Sequence, residues 1–525
     1  MPPKQEPANS AVVWFRKCLR LHDNAALVEA AKLSPQNVCL VYVIDPHFGP
    51  KKVGVNRYRF LLESLRDLDA QLKSRYKTRL LVLRGAPEEV FRKLLSTGKP
   101  LLSERPSLLL WERDTEPYAL KRDASIEKLA RESGVEVRTF VGHTLYDPSE
   151  ALERGDGKAP QAMPGMAALA KKLGEPPQPL PLPPKLPPAP RAALQQADRT
   201  YRVPTLEEQG YEAPAEPSAF PGGETAGLER LAAVLADGAY VRGFEKPKTR
   251  STAFAPPSTT GLSAYLKFGC VSSRRFYHGL QKVCKGKKHS QPPGSLLGQL
   301  YFREMAYLQG LVIPNFDRQA GNPACKPIPW GKDAKLLKAW EQGRTGYPFI
   351  DAAMRQLLRV GFLHHLARHA VACFLTRGDL WLSWEEGRDV FDRHLLDADW
   401  AINNMNWLAL SGAAPWSPPF FRVYHPVPKM DSSLNVQDPE GAYIREFVPE
   451  LRDMPSAYIY APWTAPAEVQ KAAGCVVGKD YPRPIVDHAK ASAANMARFK
   501  RALSDARATK ASSKAESPKK KPRKG

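Results

Sequence analysis

Short apolar runs alternate with segments of helical spacing over the first 140 residues of the chain. The runs are rich in Val and Leu and do not alternate with polar residues, which is typical of strands buried on both faces of a sheet. The segments between them repeat apolar residues every three or four positions, as Leu61, Leu65, Leu68 and Leu72 do. Strands that alternate with helices predict βαβ units and a doubly wound parallel sheet. The five predicted strands cover residues 11–15, 38–44, 79–84, 107–111 and 135–140.

The pattern changes beyond the fifth run. Residues 174–190 contain nine prolines in seventeen positions, so they are expected to form an extended polyproline II connector. The rest of the chain is largely helical in pattern, and eight of the ten tryptophans lie beyond residue 329. The predicted organisation is an α/β domain at 1–147, a Pro-rich linker at 148–224, a large all-helical domain at 225–501 and a basic, disordered tail at 502–525.

Charge narrows the class of partner. Lys and Arg outnumber Asp and Glu by 77 to 54, a net charge of +23, of which the last sixteen residues supply +6. The remaining +17 indicates a polyanionic partner such as nucleic acid, with a well-solvated charged surface as the alternative. The KKKPRK run near the end is interpreted as a nuclear address, or alternatively as a nonspecific DNA-binding tail.

Other classes of protein are disfavoured by composition. The chain has no apolar stretch near the ~20 residues of a membrane span. Its N-terminus lacks the apolar region of a secretory signal. The seven cysteines include no CxxC pair, which suits a reducing compartment. A monomer that does not enter membranes is therefore expected.

The segment 363–387 concentrates side chains that handle protons or anions. His365 and His369 are four residues apart and share one face of a predicted helix. Cys373 continues that face, which admits a zinc site, but no further ligand cluster with metal spacing follows. A structural role is the ordinary interpretation of a single histidine. Two histidines beside Arg368 favour a buried polar site that transfers protons or binds an anion.

Two acidic residues follow that segment. Asp397 and Asp399 lie among apolar neighbours, so their carboxylates are expected to be partly buried. Arg368 is a candidate partner, and an N–H or hydroxyl group of a cofactor is another. A solvated helix start with acidic residues in its first turn is the alternative.

A cluster of hydroxyls marks a predicted helix start. The four side chains surround Gly261, where hydroxyls and free backbone N–H groups can hold a phosphate. Ser and Thr also cap many helices, which is the alternative. The hydroxyls belong to Ser258, Thr259, Thr260 and Ser263.

Nine segments resemble motifs of the photolyase/cryptochrome family and follow the family's order. They cover roughly residues 11–490, and the resemblance is closest to the branch of (6-4) photolyases and animal-type cryptochromes. The family fold is an antenna-type α/β domain joined to a helical FAD-binding domain. The segments are WFRKCLRLHDNAAL (14–27), FEKPKT (244–249), STTGLSAYLKFGC (258–270), GQLYFRE (298–304), GNPACKPIPW (321–330), GRTGYPFIDAAMRQL (343–357), the stretch 363–387, DADWAINNMNW (397–407) and YIREFVPELRDMPSAYIYAPWTAP (443–466).

The resemblance implies FAD as cofactor, with its diphosphate on the hydroxyl cluster and Asn403 facing flavin N5. It also implies an antenna chromophore, either 8-hydroxy-deazaflavin or methenyltetrahydrofolate. The remaining implied flavin contacts are Gln299, Arg303, His365, Arg368, Asp397 and Asp399. The implied electron-transfer residues are Trp407, Trp384, Trp330 and, as the outermost member, Trp381. Trp381 and Trp384 are three residues apart and are expected to be neighbours on a helix.

The same resemblance implies repair of (6-4) pyrimidine-pyrimidone photoproducts in DNA. His365, as a cation, would give a proton to the lesion while His369 supports it by a hydrogen bond. The damaged nucleotides would leave the duplex to reach the flavin. The implied DNA contacts are Lys246, Gln299, Phe302 and Tyr424.

Two positions depart from the family pattern. Phe302 and Ala409 stand where relatives usually carry Trp, and only Phe302 keeps an aromatic ring. The loop 411–421 is about one residue longer than in relatives, and Trp416 within it is a candidate replacement for the missing ring. Loss of a stacking platform costs ~1–3 kcal/mol of base binding.

A rival hypothesis shares the flavin chemistry. An animal-type cryptochrome would use the photochemistry to change clock or transcription partners, and such relatives keep both histidines. Only about 25 residues follow the predicted helical domain 225–501, whereas a long C-terminal extension would favour signalling. Repair of UV-damaged DNA is therefore the preferred interpretation, with a dual role as an alternative. A DNA-binding module without photochemistry conflicts with the four tryptophans.

Overall fold

A five-stranded parallel sheet organises the N-terminal part of the chain in the computed structural model, which describes residues 9–254 and 256–515. The strand order β3-β2-β1-β4-β5 places β1 at the centre, with all neighbouring pairs parallel. The five predicted strands and the doubly wound sheet are thus confirmed. The strands are β1 Ser10–Phe15, β2 Asn37–Ile44, β3 Leu80–Arg84, β4 Leu108–Glu112 and β5 Glu136–Phe140.

Helices cover both faces of this sheet. On one face Val13 belongs to the same buried cluster as α1 and α2 residues, and on the other Trp14 packs 4.7 Å from Phe91 of α3. This explains why the strands read as continuous apolar runs, since neither face meets water. The four helices are α1 Ala25–Leu33, α2 Val55–Tyr76, α3 Pro87–Thr97 and α4 Pro117–Glu132.

The segment predicted as a linker contains short helices as well as the proline run. Residues 174–190 form neither helix nor strand, as nine prolines predicted. They are not detached, because Pro188 O accepts from Val38 N of β2 at 2.9 Å and Leu180 O accepts from Asp23 N at 3.2 Å. The helices are α5 Pro148–Arg154, α6 Met163–Leu173 and α7 Arg191–Gln196.

The remainder is helical. At its centre Trp407 packs 5.0 Å from Phe391 and 6.2 Å from Trp340, which joins three helices. The helices are α8 Glu224–Ala236, α9 Gly238–Gly243, α10 Ser263–Phe268, α11 Ser273–Cys284, α12 Leu296–Val312, α13 Ala334–Glu341, α14 Pro348–Val360, α15 His365–Cys373, α16 Trp384–His394, α17 Trp400–Leu410, α18 Ala442–Phe447, α19 Ala467–Ala472 and α20 His488–Ala515.

The last helix corrects the prediction of a disordered tail from residue 502. Helix α20 continues through Ala515 because Phe499 and Ala502 are buried against Ile328 and Trp381. This tertiary contact stabilises a segment whose polar composition alone did not predict a helix. The KKKPRK run lies outside the described residues. Among the helices that are described, none is long and apolar enough to cross a membrane.

Buried polar contacts join the sheet domain to the helical part. Asp23 accepts from both Arg274 Nε at 3.0 Å and Arg274 Nη2 at 2.9 Å. Glu224 accepts from Leu21 N at 2.7 Å and His22 N at 3.0 Å. Both carboxylates are almost fully buried, so each depends on its partner from the other part of the chain.

Candidate functional site

Three histidines lie together at the start of α15. His365 and His369 share one face of the helix with ring centroids 5.8 Å apart, as predicted from their spacing. His364 caps the helix, since its Nδ1 accepts from Leu366 N at 3.2 Å. Its ring centroid is 4.4 Å from that of His365, and its Nε2 lies 2.9 Å from Thr249 Oγ1. We call His364, His365 and His369 the histidine cluster.

Lys246 sets the electrostatics of the histidine cluster. Burial first, and then Lys246, lowers the pKa of His365 far below its usual range and that of His369 to about 3. Burial and Arg368 lower the pKa of Lys246 itself to about 8. The neutral imidazole is therefore the favoured form of His365 in the free protein, and its cationic form beside a bound lesion stays a prediction. An anion bound beside it would raise its pKa.

Aromatic rings border the cluster. Lys246 Nζ lies 5.8 Å from the ring centroid of Phe302 on α12, so one surface carries both a cation and a ring. Tyr424 Oη is 3.4 Å from His369 Nδ1. Gln299, one turn before Phe302, donates to Pro293 O at 2.9 Å and is half-buried. Of the predicted DNA-contacting side chains, Lys246 and Tyr424 thus lie near the histidines and Phe302 lies beside Lys246.

The ring of Trp416 has a different position from the one expected. It packs 6.4 Å from Phe316, and its Nε1 lies 3.4 Å from Met405 O. The indole therefore takes part in packing between α17 and the segment after α12. These contacts do not support the expectation that it replaces the aromatic ring absent at Ala409.

Arg368 and Asp397 form an ion pair next to the cluster. Arg368 Nη2 lies 2.9 and 3.0 Å from the two carboxylate oxygens of Asp397. Arg368 Nε also donates to Leu363 O at 2.8 Å, which fixes the guanidinium plane. The side chains are only 20% and 10% exposed, so each charge depends on the other. The pairing predicted from sequence is confirmed.

Asp399 points away from that pair. Its Oδ1 caps α17 by accepting from Ala401 N at 3.1 Å, and its Oδ2 accepts from Tyr307 Oη at 2.9 Å. Burial raises the pKa of Asp399, but the positive charge of Lys17 and the hydrogen bond from His143 lower it by more. The net pKa lies below its usual range, so the carboxylate stays ionised. Oδ1 is thus used within α17, and only Oδ2 also approaches the N-terminal part of the chain, with His143 Nε2 at 3.8 Å and Lys17 Nζ at 4.0 Å.

Arg303 lies in the same region as Asp399. Its guanidinium donates to His143 O at 2.8 Å and lies 2.9 Å from His143 Nε2. Arg303 and Asp399 therefore have different partners from the Arg368–Asp397 pair, and the flavin contacts that the resemblance implies for all four stay predictions. Asn403, on the buried side of α17, donates through Nδ2 to Arg388 O at 3.1 Å.

A cleft of about 980 Å³ opens beside the histidine cluster. Thr249 lines the cleft and is hydrogen-bonded to His364, so the two sites share a wall. Lys248, Arg250 and Ser258 also line it, together with aromatic rings such as Phe254. Cationic, hydroxyl and aromatic groups of this kind suit a ligand with both a phosphate and a ring.

Only part of the predicted hydroxyl cluster meets this cleft. Ser258 lines it, whereas Thr259 and Thr260 hold the loop through carbonyls that accept from Arg230 at 3.3 and 2.6 Å. Ser263 is exposed at the first position of α10, which has six residues. The predicted helix start is therefore present, but the four hydroxyls do not converge on one point.

The tryptophans form two groups. Trp407 and Trp384 are fully buried, and α16 approaches Trp407 so closely that a Cβ on Gly387 would lie 2.2 Å from its ring. Trp330 and Trp381 pack with centroids 4.9 Å apart. Trp381 precedes α16 in a left-handed conformation, φ +56°, so the expectation that it shares a helix with Trp384 is wrong. A π-helical turn, Phe374–Gly378, comes shortly before Trp381, and the chain changes direction between Trp381 and Trp384.

A second, smaller cavity of about 190 Å³ lies at the carboxyl ends of β1, β2 and β4. This is where the strand order reverses, the usual ligand position in a doubly wound sheet. Cationic Arg16, Lys17 and Lys267 line it beside the rings of Tyr42 and Tyr118. Burial and Arg57 lower the pKa of Lys267 to about 7. Asp114 and Glu116 line the cavity as well and are ion-paired to Lys17, so the lining carries charges of both signs beside its aromatic rings.

Several functional candidates escaped sequence reasoning. His364 directly precedes His365 in the sequence. Its position just before the predicted helix, where a side chain can cap the helix, was the signal that could have identified it. Thr249 and the cleft residues are brought together only by tertiary packing of the 249–258 loop on α18. The zinc alternative at His365, His369 and Cys373 gains no further ligand, since no group of three or more His, Cys, Asp or Glu in the described part of the chain is placed to hold a metal.

Comparison with known proteins identifies the family. Residues 11–185 match the DNA photolyase family and residues 296–501 match the FAD binding domain of DNA photolyase. The chain is 47% identical over 505 residues to a (6-4)DNA photolyase of Oryza sativa subsp. japonica, covering 92% of this chain and 88% of that one. It is 46% identical over 500 residues to Cryptochrome-1 of Gallus gallus, covering 94% and 78%.

Solved structures show the same architecture. A bacterial class III photolyase from Agrobacterium tumefaciens superposes with a TM-score of 0.79 at 29% identity, covering 96% of this chain and 99% of that one. A cryptochrome of Synechocystis sp. PCC6803 gives 0.78 at 28% identity, covering 93% and 98%. Both the sheet domain and the helical domain therefore have counterparts throughout, and the protein belongs to the photolyase/cryptochrome family.

Proposed function

We propose that this protein is a light-driven DNA (6-4) photolyase that uses FAD. The observation that carries the proposal is the histidine cluster, bordered on one surface by Lys246 and Phe302 and joined through Thr249 to a cleft large enough for a dinucleotide cofactor. A nucleotide that has left its duplex needs such a site, in which imidazoles can transfer protons, a cation can pair with phosphate and an aromatic ring can stack on a base.

The chain's own groups fit FAD. The 980 Å³ cleft is at the upper end of the range for small-molecule sites, and Ser258, Lys248 and Arg250 suit its diphosphate. Arg368 and Asp397 supply a fixed charge pair for the flavin side, and Asn403 stands on the same helix as Trp407. When bound, FAD would supply the excited electron that opens the lesion.

DNA is recognised in this proposal by the groups that border the histidines. Lys246 attracts phosphate, while Phe302 and Tyr424 offer rings to displaced bases. Phe421, three residues before Tyr424 in the sequence, adds an exposed ring: it is 64% exposed, the highest value among the large exposed hydrophobics that the structure describes. The buried Arg377 fixes its neighbours by donating to Phe420 O at 2.8 Å and Arg422 O at 2.7 Å. Phe421 is therefore presented on a rigid rim.

Proton transfer follows from the pKa values. His365 begins neutral because burial first, and then Lys246, disfavours its cation. A lesion phosphate would pair with Lys246 and place a negative charge near the ring, which raises the pKa of His365 and helps it to take up and pass on a proton. His369, held at Tyr424, stabilises the charged ring of its neighbour.

Electron supply is assigned to Trp407, Trp384 and Trp330. The first two are buried beside α16 and α17, where water cannot quench an oxidised ring, and Trp330 is partly exposed. The smaller cavity at the sheet is proposed to hold the antenna chromophore. Its aromatic rings and charged side chains suit a planar chromophore, either a deazaflavin or methenyltetrahydrofolate.

A second candidate function is a cryptochrome photoreceptor with clock or transcription partners. The 46% identity to Cryptochrome-1 of Gallus gallus favours it as strongly as the rice relative favours repair. The packing of α20 against Trp381 would let such partners sense the photochemistry. Either function is proposed to operate in the nucleus, through the basic KKKPRK run.

One experiment separates the two functions. The reduced protein is illuminated with an oligonucleotide that carries one (6-4) photoproduct, and intact thymines are measured by HPLC. Repair is expected for wild type and for His289→Ala, an exposed-loop control, and is expected to be lost in His365→Ala. If wild type restores no thymines but its flavin is still photoreduced, the photoreceptor function replaces repair.

A further inference from the structure

We propose that helix α20 positions the protein for DNA binding, because it holds residues 420–425 in the shape that offers Phe421 to a displaced base. The inference rests on the proposed repair function and extends it to a helix that carries none of the residues assigned to that function. Phe499 of α20 is the positioning residue.

Phe499 stacks directly on one end of segment 420–425. Its ring centroid lies 5.0 Å from that of Phe420 with an interplanar angle of 4°, and Phe420 in turn contacts Phe421 at 5.7 Å. Phe499 is only 1% exposed, and a Cβ built on Gly412 would lie 3.2 Å from its ring, so the ring has little space to move. Phe420 is therefore fixed from the protein side, while Phe421 projects toward solvent.

A second contact lies at the other end of the segment. The ring centroid of His488, the first residue of α20, is 4.3 Å from that of His425. His488 Nδ1 also lies 2.7 Å from Asp379 Oδ1, which fixes the start of the helix. His488 and Phe499 are about three helical turns apart. The two contacts of α20 therefore lie at the two ends of segment 420–425.

The same short stretch of chain holds both α20 and the segment. Arg377 donates to Phe420 O at 2.8 Å. Two residues later, Asp379 O accepts from Asn495 Nδ2 of α20 at 3.1 Å. The helix and the segment are thus attached to one part of the protein, and the Phe499 ring fills the space between them.

Loss of the Phe499 ring has a definite consequence for DNA binding. A cavity beneath Phe420 would let the segment adopt other conformations. DNA would then have to order the segment on binding, which lowers affinity. Affinity would be lost although no group assigned to DNA or flavin contact has been removed.

The first test measures the segment in the dark and without DNA. Phe499→Leu removes the flat ring but keeps apolar bulk, so the variant is expected to fold. Hydrogen–deuterium exchange of the full chain, read by mass spectrometry, is expected to be several-fold faster at residues 420–425 in this variant. His488→Ala is expected to speed exchange at the 425 end. Lys500→Ala, at an exposed neighbouring position of α20, is the matched control and should leave exchange unchanged. Wild-type exchange in both Phe499→Leu and His488→Ala would overturn the proposal.

The second test is a double-variant cycle with DNA. Fluorescence anisotropy measures affinity for a duplex with one (6-4) photoproduct in wild type, Phe499→Leu, Phe421→Ala and their combination. Phe499→Leu is expected to weaken binding several-fold alone but less than about twofold when residue 421 is already Ala, because it acts through that ring. Phe499 also lies 6.2 Å from Trp330 and 6.4 Å from Trp381, so binding is measured in the dark, where no electron is transferred.

Two results of the cycle would count against different claims. A combined loss of affinity equal to the product of the single losses would refute the positioning role of Phe499. A wild type that binds damaged duplex no more tightly than intact duplex would refute the proposed repair function. The exchange measurement would still decide whether α20 holds the segment.

Discussion

The Arg368–Asp397 pair offers the most quantitative test of the site. Arg368→Met keeps much of the side-chain length but leaves the Asp397 carboxylate, 10% exposed, without its cation. Removing one partner of a buried pair costs about 3–5 kcal/mol because the remaining charge stays desolvated. Since Arg368 itself is 20% exposed, the lower end of that range is expected for the free energy of unfolding.

The double variant tests whether the cost comes from the pair. Replacing both residues, as Arg368→Met with Asp397→Leu, leaves no buried charge, so its loss of stability should be smaller than the sum of the single losses by about 1–3 kcal/mol. Urea unfolding of the apoprotein measures the free energy of unfolding of the wild type, the two single variants and the double variant. The absorbance of the flavin that co-purifies with each protein measures how much cofactor it retains. Both single variants and the double variant are expected to lose flavin.

A matched pair on the surface provides the control. Arg359 and Glu216 lie 3.0 Å apart but are 40% and 65% exposed, so Arg359→Met should cost less than about 1 kcal/mol and leave flavin bound. Single-variant losses at Arg368 and Asp397 that add within about 0.5 kcal/mol would refute the buried-pair argument. Retention of wild-type flavin by the double variant would refute its role at the cofactor.

Four further outcomes follow. Trp407→Phe should slow flavin photoreduction drastically, measured by steady illumination with a reductant. His365→Ala should reduce repair by ~10²–10⁴-fold with flavin binding intact, and His369→Ala should weaken it less. Because the pKa of Lys246 is lowered to about 8, affinity for damaged DNA should fall as pH rises through about 8, a step that Lys246→Met should remove in a binding titration. Phe421→Ala should weaken binding of a duplex with a displaced base by ~1–3 kcal/mol, and an unchanged affinity would show that the exposed ring does not stack.

The α/β half of the fold could be predicted from periodicity because its strands are buried on both faces. Residues such as Val13 and Trp14 face opposite helix layers, and each must be apolar. In the helical half, the spacing of apolar residues predicted the helices, but it did not predict which helices contact each other, because those contacts follow no regular spacing in the sequence. The relation of Trp381 to Trp384 shows this: a spacing of three predicted one helix, and a left-handed residue placed them in different elements.

The candidate site was predictable where one element carries the residues. His365 and His369 follow from helical spacing alone. The different directions of Asp397 and Asp399 did not follow, because a helix cap turns the second carboxylate toward Tyr307. The neutral state of His365 was also beyond sequence, since it depends on the three-dimensional distance to Lys246 and on burial.

The interface between the two parts has a consequence for how the molecule unfolds. Asp23 and Glu224 are buried carboxylates whose partners, Arg274 and the backbone around His22, belong to the opposite part of the chain. Separating the parts would break these charge-assisted hydrogen bonds, each of which contributes about 1.5–3 kcal/mol. Neither part is then expected to persist once the other has melted. Calorimetry should record a single transition instead of two, and a fragment ending before α8 should be less stable than the same residues within the whole chain.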